Sequence, residues 1–188
     1  PEVQTRKCSA CNKSETRNVG KKLAPKATLN ASTVTLKVKQ STSRLKVTRL
    51  AKGDSVKSWK SSNSKIFTVR GKSNGTCKIT GKKRGTAKLQ ITLASGLKKT
   101  VKVRVQTAAV KTSKITVSKN VTVKKGKRVT LKPVVTPFTS RQKVTYTSSN
   151  KKIATVSSKG VVTGKKKGTV KITVKSGSKS VKVTVKVK

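Results

Sequence analysis

Acidic residues are almost missing from this chain. Of 188 residues only 3 are Asp or Glu, against 49 Lys and Arg, and there is no His, so the formal net charge is +46. The acids are Glu2, Glu15 and Asp54; from Ser55 to Lys188 there is none. General acid–base catalysis, glycoside hydrolysis and carboxylate metal cages all need Asp, Glu or His at close range. One acid in the body of the chain cannot form a pair, and the lack of His removes Ser-His-Asp triads and His-bearing zinc hydrolase sites. Gly71-Lys72-Ser73 has the ending of a phosphate-binding P-loop, but Ile66 stands where that motif needs its first glycine. The expectation is a non-enzymatic chain with no cofactor and no metal site.

Aromatic residues are scarce as well: Trp59, Tyr146 and two Phe. Base-stacking platforms are therefore poorly supplied, and nucleic acid is expected to bind only non-specifically, at low salt. No run of ~18 apolar residues exists, so no membrane span is expected. The chain starts at Pro1 without Met or a visible signal peptide, and reads as a piece of something longer whose natural end is Lys188. Cysteine is limited to Cys8, Cys11 and Cys77. Cys8-Ser-Ala-Cys11 is either a local disulfide or half of a zinc knuckle lacking its other ligands. Cys77 shares strand parity with Ile79 and reads as a buried thiol.

What the chain does have is alternation. Hydrophobic content is only 31%, and low hydrophobicity with high net charge is the composition of disordered chains. The period argues otherwise. Val181, Val183, Val185 and Val187 alternate with Lys182, Thr184, Lys186 and Lys188, and Val170, Ile172 and Val174 alternate with Lys171, Thr173 and Lys175. Successive strand side chains point to opposite faces, so the valines form a core face and the lysines an outer wall.

The chain also repeats. "WKSSNSKIFTV" (59–69) matches "YTSSNKKIATV" (146–156), and "ITGKKRGTAKLQIT" (79–92) matches "VTGKKKGTVKIT" (162–173). "ASGLKKTVKVRV" (94–105) matches "KSGSKSVKVTVKV" (175–187), and the offset falls along the chain from 87 to 83 to 81 residues. The first copy is thus expected to carry insertions around Gly71–Gly75 and in the strand after Gly85. In the second copy the pattern predicts strands near 115–117, 121–124, 128–135, 143–148, 153–156, 161–163, 168–175 and 180–187. The expected architecture is all-β: an irregular N-terminal Cys-x-x-Cys segment over 1–25, truncated at its start, then one sandwich over 26–107 and another over 110–188. The joint near "QTAAVKT" has neither a Gly/Ser nor a Pro run, so the pair is expected to be semi-rigid.

"YTSSNKKIATVSSKGVVTGKKKGTVKITV" resembles the bacterial Ig-like domain, group 2. Tyr146, Ser148, Ser149, Asn150, Ala154 and Val156 follow that family's pattern, as do Gly160, Val162, Thr163, Gly164, Gly168, Thr169, Ile172 and Thr173. The first copy follows it through Trp59, Ser61, Ser62, Asn63, Val69, Gly81, Gly85 and Thr86. Where the family often has acids, Asn, Ser and Lys stand, which speaks against calcium binding. "RKCSACNKSETRNV" is similar to a Cys-x-x-Cys-Gly-x-x-Glu-Thr segment that precedes such domains in surface proteins of gut Firmicutes, with Asn12 in place of the glycine. The resemblance implies tandem Ig-like β-sandwiches in an extracellular, cell-surface setting on a Gram-positive cell, as stalks, spacers or adhesive modules.

Charge then points to a partner. A +46 field collects polyanions, and the nearest on such a surface are the anionic polymers of the wall, the teichoic acids. Lysine suits them as a point-charge phosphate binder. The candidate contacts are the basic turns Lys82-Lys83-Arg84 and Lys165-Lys166-Lys167 and the outward residues Lys171, Lys175, Lys182 and Lys186; the plain alternative for each tripeptide is a solvated turn. A monomer is expected. The competing readings are a passive stalk displaying an upstream domain and a host adhesin for sulfated or sialylated acidic glycans. Intramolecular isopeptide bonds need an acid beside Lys and Asn, so the second copy cannot form one.

Overall fold

The computed structural model describes residues 2–9, 11, 14–19 and 25–188. Every regular element in it is a strand, so no helix is long and apolar enough to cross a membrane among the described residues. The N-terminal segment, expected to be irregular, is instead an antiparallel hairpin of β1 (Glu2–Lys7) and β2 (Ser14–Val19), paired from Glu2–Val19 to Lys7–Ser14. Its strands carry one Val each and no apolar alternation. Backbone pairing defines them, and the core pattern that marks the other strands is absent.

The rest is two sets of sheets with the same plan. The first set holds β3 (Thr28–Leu29), β4 (Thr33–Lys37), β5 (Ser41–Thr42), β6 (Val47–Thr48), β7 (Val56–Ser61), β8 (Phe67–Gly71), β9 (Cys77–Gly81), β10 (Gly85–Leu93) and β11 (Lys98–Gln106). The second holds β12 (Lys114–Thr116), β13 (Asn120–Val123), β14 (Arg128–Thr130), β15 (Val134–Thr136), β16 (Val144–Ser148), β17 (Ala154–Val156), β18 (Val161–Gly164), β19 (Gly168–Ser176) and β20 (Lys179–Val187). Each set has a four-stranded sheet, ordered β4-β11-β10-β7 and β13-β20-β19-β16, whose first strand runs parallel to its neighbour. Each also has a three-stranded sheet, β5-β9-β8 and β14-β18-β17, and a two-stranded pair, β3-β6 and β12-β15. These are two tandem Ig-like sandwiches, matched strand for strand.

The inward face of the alternation fills each interior. Val34, Leu36, Phe67, Ile79, Leu89 and Ile91 are fully buried in the first sandwich, and Ala154, Val162, Ile172, Val174, Val183 and Val185 in the second. A buried Val, Leu, Ile or Phe stabilises the fold by about 1.5–3 kcal/mol relative to exposure. That burial has to offset the self-repulsion of the outer charges.

Two local readings need correction, and the insertion expected near Gly71–Gly75 is found there. Residues 128–135 are two strands rather than one: β14 pairs with β18, while β15 crosses to β12. Pro133 stands between them, and proline has no N–H to continue a ladder. The insertion near Gly71–Gly75 lengthens a hairpin: β8 and β9 pair from Phe67–Gly81 to Gly71–Cys77, whereas β17 and β18 pair only from Ala154–Gly164 to Val156–Val162. The other insertion lies in a turn and not in the strand after Gly85. The copies run 83 residues apart at Gly85 and Gly168 and 82 apart at Val105 and Val187, and both strands, β10 and β19, have 9 residues. The second copy closes with a two-residue turn, Gly177-Ser178, between paired Ser176 and Lys179. Gly177 has φ 57, the conformation a tight hairpin asks of its first turn residue.

The two sandwiches touch. Gln40 Nε2 donates to Thr139 O at 2.7 Å, Arg44 Nη1 donates to Phe138 O at 2.8 Å, and the Phe138 ring packs against the first core. Val110 and Thr112 in the joint are buried, and Thr112 N donates to Gln142 Oε1 at 2.6 Å.

Candidate anionic-polymer interface

The outer face of the second sandwich's large sheet is a checkerboard. Across β19 and β20, Lys186 faces Thr169, Lys171 faces Thr184, Lys182 faces Thr173 and Lys175 faces Ser180. The four lysines are exposed, while Val170, Ile172, Val174, Val183, Val185 and Val187 on the other face are buried. Like charges directly opposite destabilise a strand pair, whereas diagonal neighbours stand about 7–8 Å apart. The strand register therefore turns Lys186, Lys171, Lys182 and Lys175 into a zigzag of single charges, each flanked by hydroxyls. Thr122 beside Lys186, Thr145 beside Lys175 and Thr147 beside Thr173 continue the polar rows onto β13 and β16.

The two basic turns share one geometry. Lys82 N and Lys83 N both donate to Ile66 O, at 2.7 and 3.2 Å; Lys165 N and Lys166 N both donate to Ile153 O, at 2.8 and 3.2 Å. The backbone is pinned inward, and the side chains of Lys82, Lys83, Arg84, Lys165, Lys166 and Lys167 are all exposed. The turns lie at the ends of β10 and β19, one residue from the strands that carry the outward rows. In the first sandwich Arg84 of the turn lines one cleft with Thr86, Lys102 and Arg104 of the strands.

The first sandwich carries a charged face that sequence reading did not nominate. Here Lys88 of β10 stands directly opposite Lys102 of β11, and Arg104 faces Thr86. The equivalent of the Lys88–Lys102 pair in the second sandwich is Lys171–Thr184. Parity alone does not show this juxtaposition; the strand register does, and the one-residue longer β10–β11 turn keeps that register equivalent to the one between β19 and β20.

Asp54 is the one acid of the two sandwiches, and lysine does not hold it. Ser95 Oγ donates to its Oδ2 at 2.7 Å, and Ser95 N and Ser55 N donate to its Oδ1 at 3.1 and 2.9 Å. These bonds, the Ser95 hydroxyl foremost, hold its carboxyl below the ordinary value against slight desolvation. Asp54 clamps the β10–β11 turn. Cys77 is buried beside Ile79, its Sγ 3.7 Å from Leu45 O, and burial pushes its thiol up to about 12. Trp59 and Tyr146 are packing residues. Each covers a glycine: a Cβ on Gly71 would lie 2.0 Å from the Trp59 ring, and one on Gly160 would lie 2.8 Å from Tyr146 Cζ. Burial also raises the Tyr146 hydroxyl. Cys8 and Cys11 are exposed in the β1–β2 loop; their pairing stays a proposal.

Residues 110–187 match the family model of the bacterial Ig-like domain (group 2). No curated protein matches the chain. Among solved structures, it is similar to domains 4 and 5 of the S-layer protein SbsC, with 25% identity over 87% of this chain and 97% of that one, at a TM-score of 0.41. Domains 4–9 of the same protein match with 26% identity over 88% of this chain and 31% of that one, at 0.43. A bacterial Ig-like domain containing GH10 xylanase from termite gut matches with 26% identity over 36% of this chain and 18% of that one, at 0.32. The chain thus spans less than a third of the structure of SbsC domains 4–9 and of the xylanase.

Proposed function

With residues 110–187 forming a bacterial Ig-like domain of group 2, we propose that the chain is a non-catalytic, cell-surface module that binds the anionic polymer of the cell wall. It retains or displays whatever domain is joined to it. The division at 26–107 and 110–188 is the domain organisation this proposal uses. The observation that carries it is the outer lysine zigzag: Lys171, Lys175, Lys182 and Lys186 are exposed, evenly spaced by register and flanked by Thr or Ser. None is ion-paired among the described residues. Surfaces built only for solubility mix both signs; this one presents a single sign, and a linear polyanion supplies the other. The clasp of Gln40 and Arg44 on the Phe138–Thr139 segment also suits a spacer, since it limits swing between the sandwiches.

The test is sedimentation of the chain with purified Gram-positive walls, intact and stripped of teichoic acid, across a salt series. Binding lost on stripping and falling steeply with salt is expected. Equal binding to both walls, or none at physiological salt, would leave a charged spacer.

A further inference from the structure

We propose that a linear phosphodiester polymer runs along a continuous cationic track that begins on the outer face of the first sandwich and enters the groove between the two sandwiches. Its contacts are Lys88, Lys102, Arg84, Arg104 and Lys111. This rests on the polymer-binding reading above but assigns a site that reading does not contain.

Placing Lys88 directly opposite Lys102 works against the fold, because opposed like charges destabilise a strand pair. The same chain shows the costless alternative in its second copy, where Thr184 takes the place of Lys102. A polyanion lying over this pair would neutralise a repulsion that the equivalent pair of the second sandwich does not carry.

The surface around the pair is concave and continuous. A cleft of ≈ 570 Å³ is lined by Lys88, Lys102, Ser32, Ser62 and Thr86. It shares Lys102 and Thr86 with a second cleft of ≈ 320 Å³ that adds Arg84 and Arg104. Arg104 and Gln106 in turn line the ≈ 1040 Å³ groove between the sandwiches, which Lys111 also lines. None of the five cations spends its side-chain donors within the protein, among the described residues. Arg44, by contrast, is tied to Phe138 O and serves the interface.

Spacing selects the ligand class. Lys102 and Arg104 are two residues apart on one strand, about 6.8 Å, and Lys88 and Arg104 stand diagonally about 7–8 Å apart. Such a succession of charges, with hydroxyls between them, fits repeated single anions along a flexible chain better than one compact anion. Lysine and arginine both satisfy a phosphate oxygen.

The probe is purified poly(glycerol phosphate), titrated into the full chain at physiological salt. Two triple variants remove equal charge: Lys88→Thr/Lys102→Thr/Arg104→Thr on the track, and Lys171→Thr/Lys182→Thr/Lys186→Thr on the second sandwich. The track triple is expected to lose at least about tenfold more affinity and to lower the slope of log K against log salt by about 2, at roughly 0.7 per contact. Lys102→Thr alone is expected to raise the melting temperature while weakening binding, which a purely structural lysine would not do. Equal losses from the two triples, or a Lys102→Thr chain that binds normally, would overturn the track and leave general polymer binding intact. No binding by the unaltered chain would overturn both readings. Heparin binding more tightly than poly(glycerol phosphate), and weakened by the track triple, would overturn the phosphodiester assignment in favour of a sulfated glycan.

Discussion

Lowering the sodium chloride concentration changes the range of the charges and leaves the core contacts in place. The Lys186–Lys171–Lys182–Lys175 zigzag gives three neighbouring pairs at diagonal spacing, about 7.5 Å apart. At that distance two unit charges in water repel by about 0.5 kcal/mol. The Debye length is about 8 Å at physiological ionic strength and about 30 Å at 0.01 M, so screening leaves about 0.2 kcal/mol per pair in the first case and about 0.4 in the second. Summed over three pairs, low salt costs the second sandwich about 0.6 kcal/mol from this row alone. For a domain of this size that is about 2–5 °C of melting temperature, and the other outward cations add to it. The assay is thermal melting followed by far-ultraviolet circular dichroism at the two salt concentrations, with chloride rather than sulfate so that salt acts by screening and not by exclusion from the surface. A higher melting temperature at physiological salt is expected. A flat or falling value would refute the reasoning, since the rigid lysine rows would then not repel one another more than the unfolded chain does.

Four further outcomes follow from particular contacts. Phe138→Ala removes a half-buried ring from the first core and is expected to cost about 2 kcal/mol and to raise the radius of gyration in small-angle scattering; an unchanged radius would show that the clasp does not set the pairing. Asp54→Ala should abolish a pH dependence: with the carboxyl held below its ordinary value, its contribution is full above about pH 3.9 and lost as pH falls through the lower folded value, so urea titrations of the parent should weaken in acid more than those of the variant. Gly160→Ala asks an L side chain to adopt φ 77 and to place a Cβ 2.8 Å from Tyr146; a loss of about 2 kcal/mol or more in urea denaturation is expected, and a neutral result would displace Tyr146 from its packing role. Cys77, with its thiol near 12, should resist thiol reagents until the chain unfolds, and rapid labelling in the native state would contradict its burial.

Most of the fold was legible because the alternation is strict. In β19 and β20 the period fixes which side chains go inward, and burial follows it residue by residue. The signal fails where pattern and pairing part company. Residues 128–135 alternate through Pro133 as if continuous, yet the missing N–H hands the chain from one sheet to the other. The N-terminal hairpin has backbone pairing without a core face, so hydrophobic periodicity could not mark it. The site was half legible for a similar reason. The outward lysines of the second copy are read directly from parity, but which charge faces which depends on register, and register depends on turn length. The one-residue longer β10–β11 turn keeps both copies in the same register, so Lys102 holds the place of Thr184 and faces Lys88 as Thr184 faces Lys171. Parity alone does not show that pairing.

The central claim is that the outer charge rows bind an anionic polymer. The most direct measurement is a titration of the ¹⁵N-labelled chain with poly(glycerol phosphate) at physiological salt, read as amide shifts. The account predicts saturable shifts concentrated on β10, β11, β19 and β20 and the two basic turns, with the three-stranded sheets unmoved. Uniform small shifts that never saturate, or none, would contradict it and leave the lysines as the solvated exterior of a spacer.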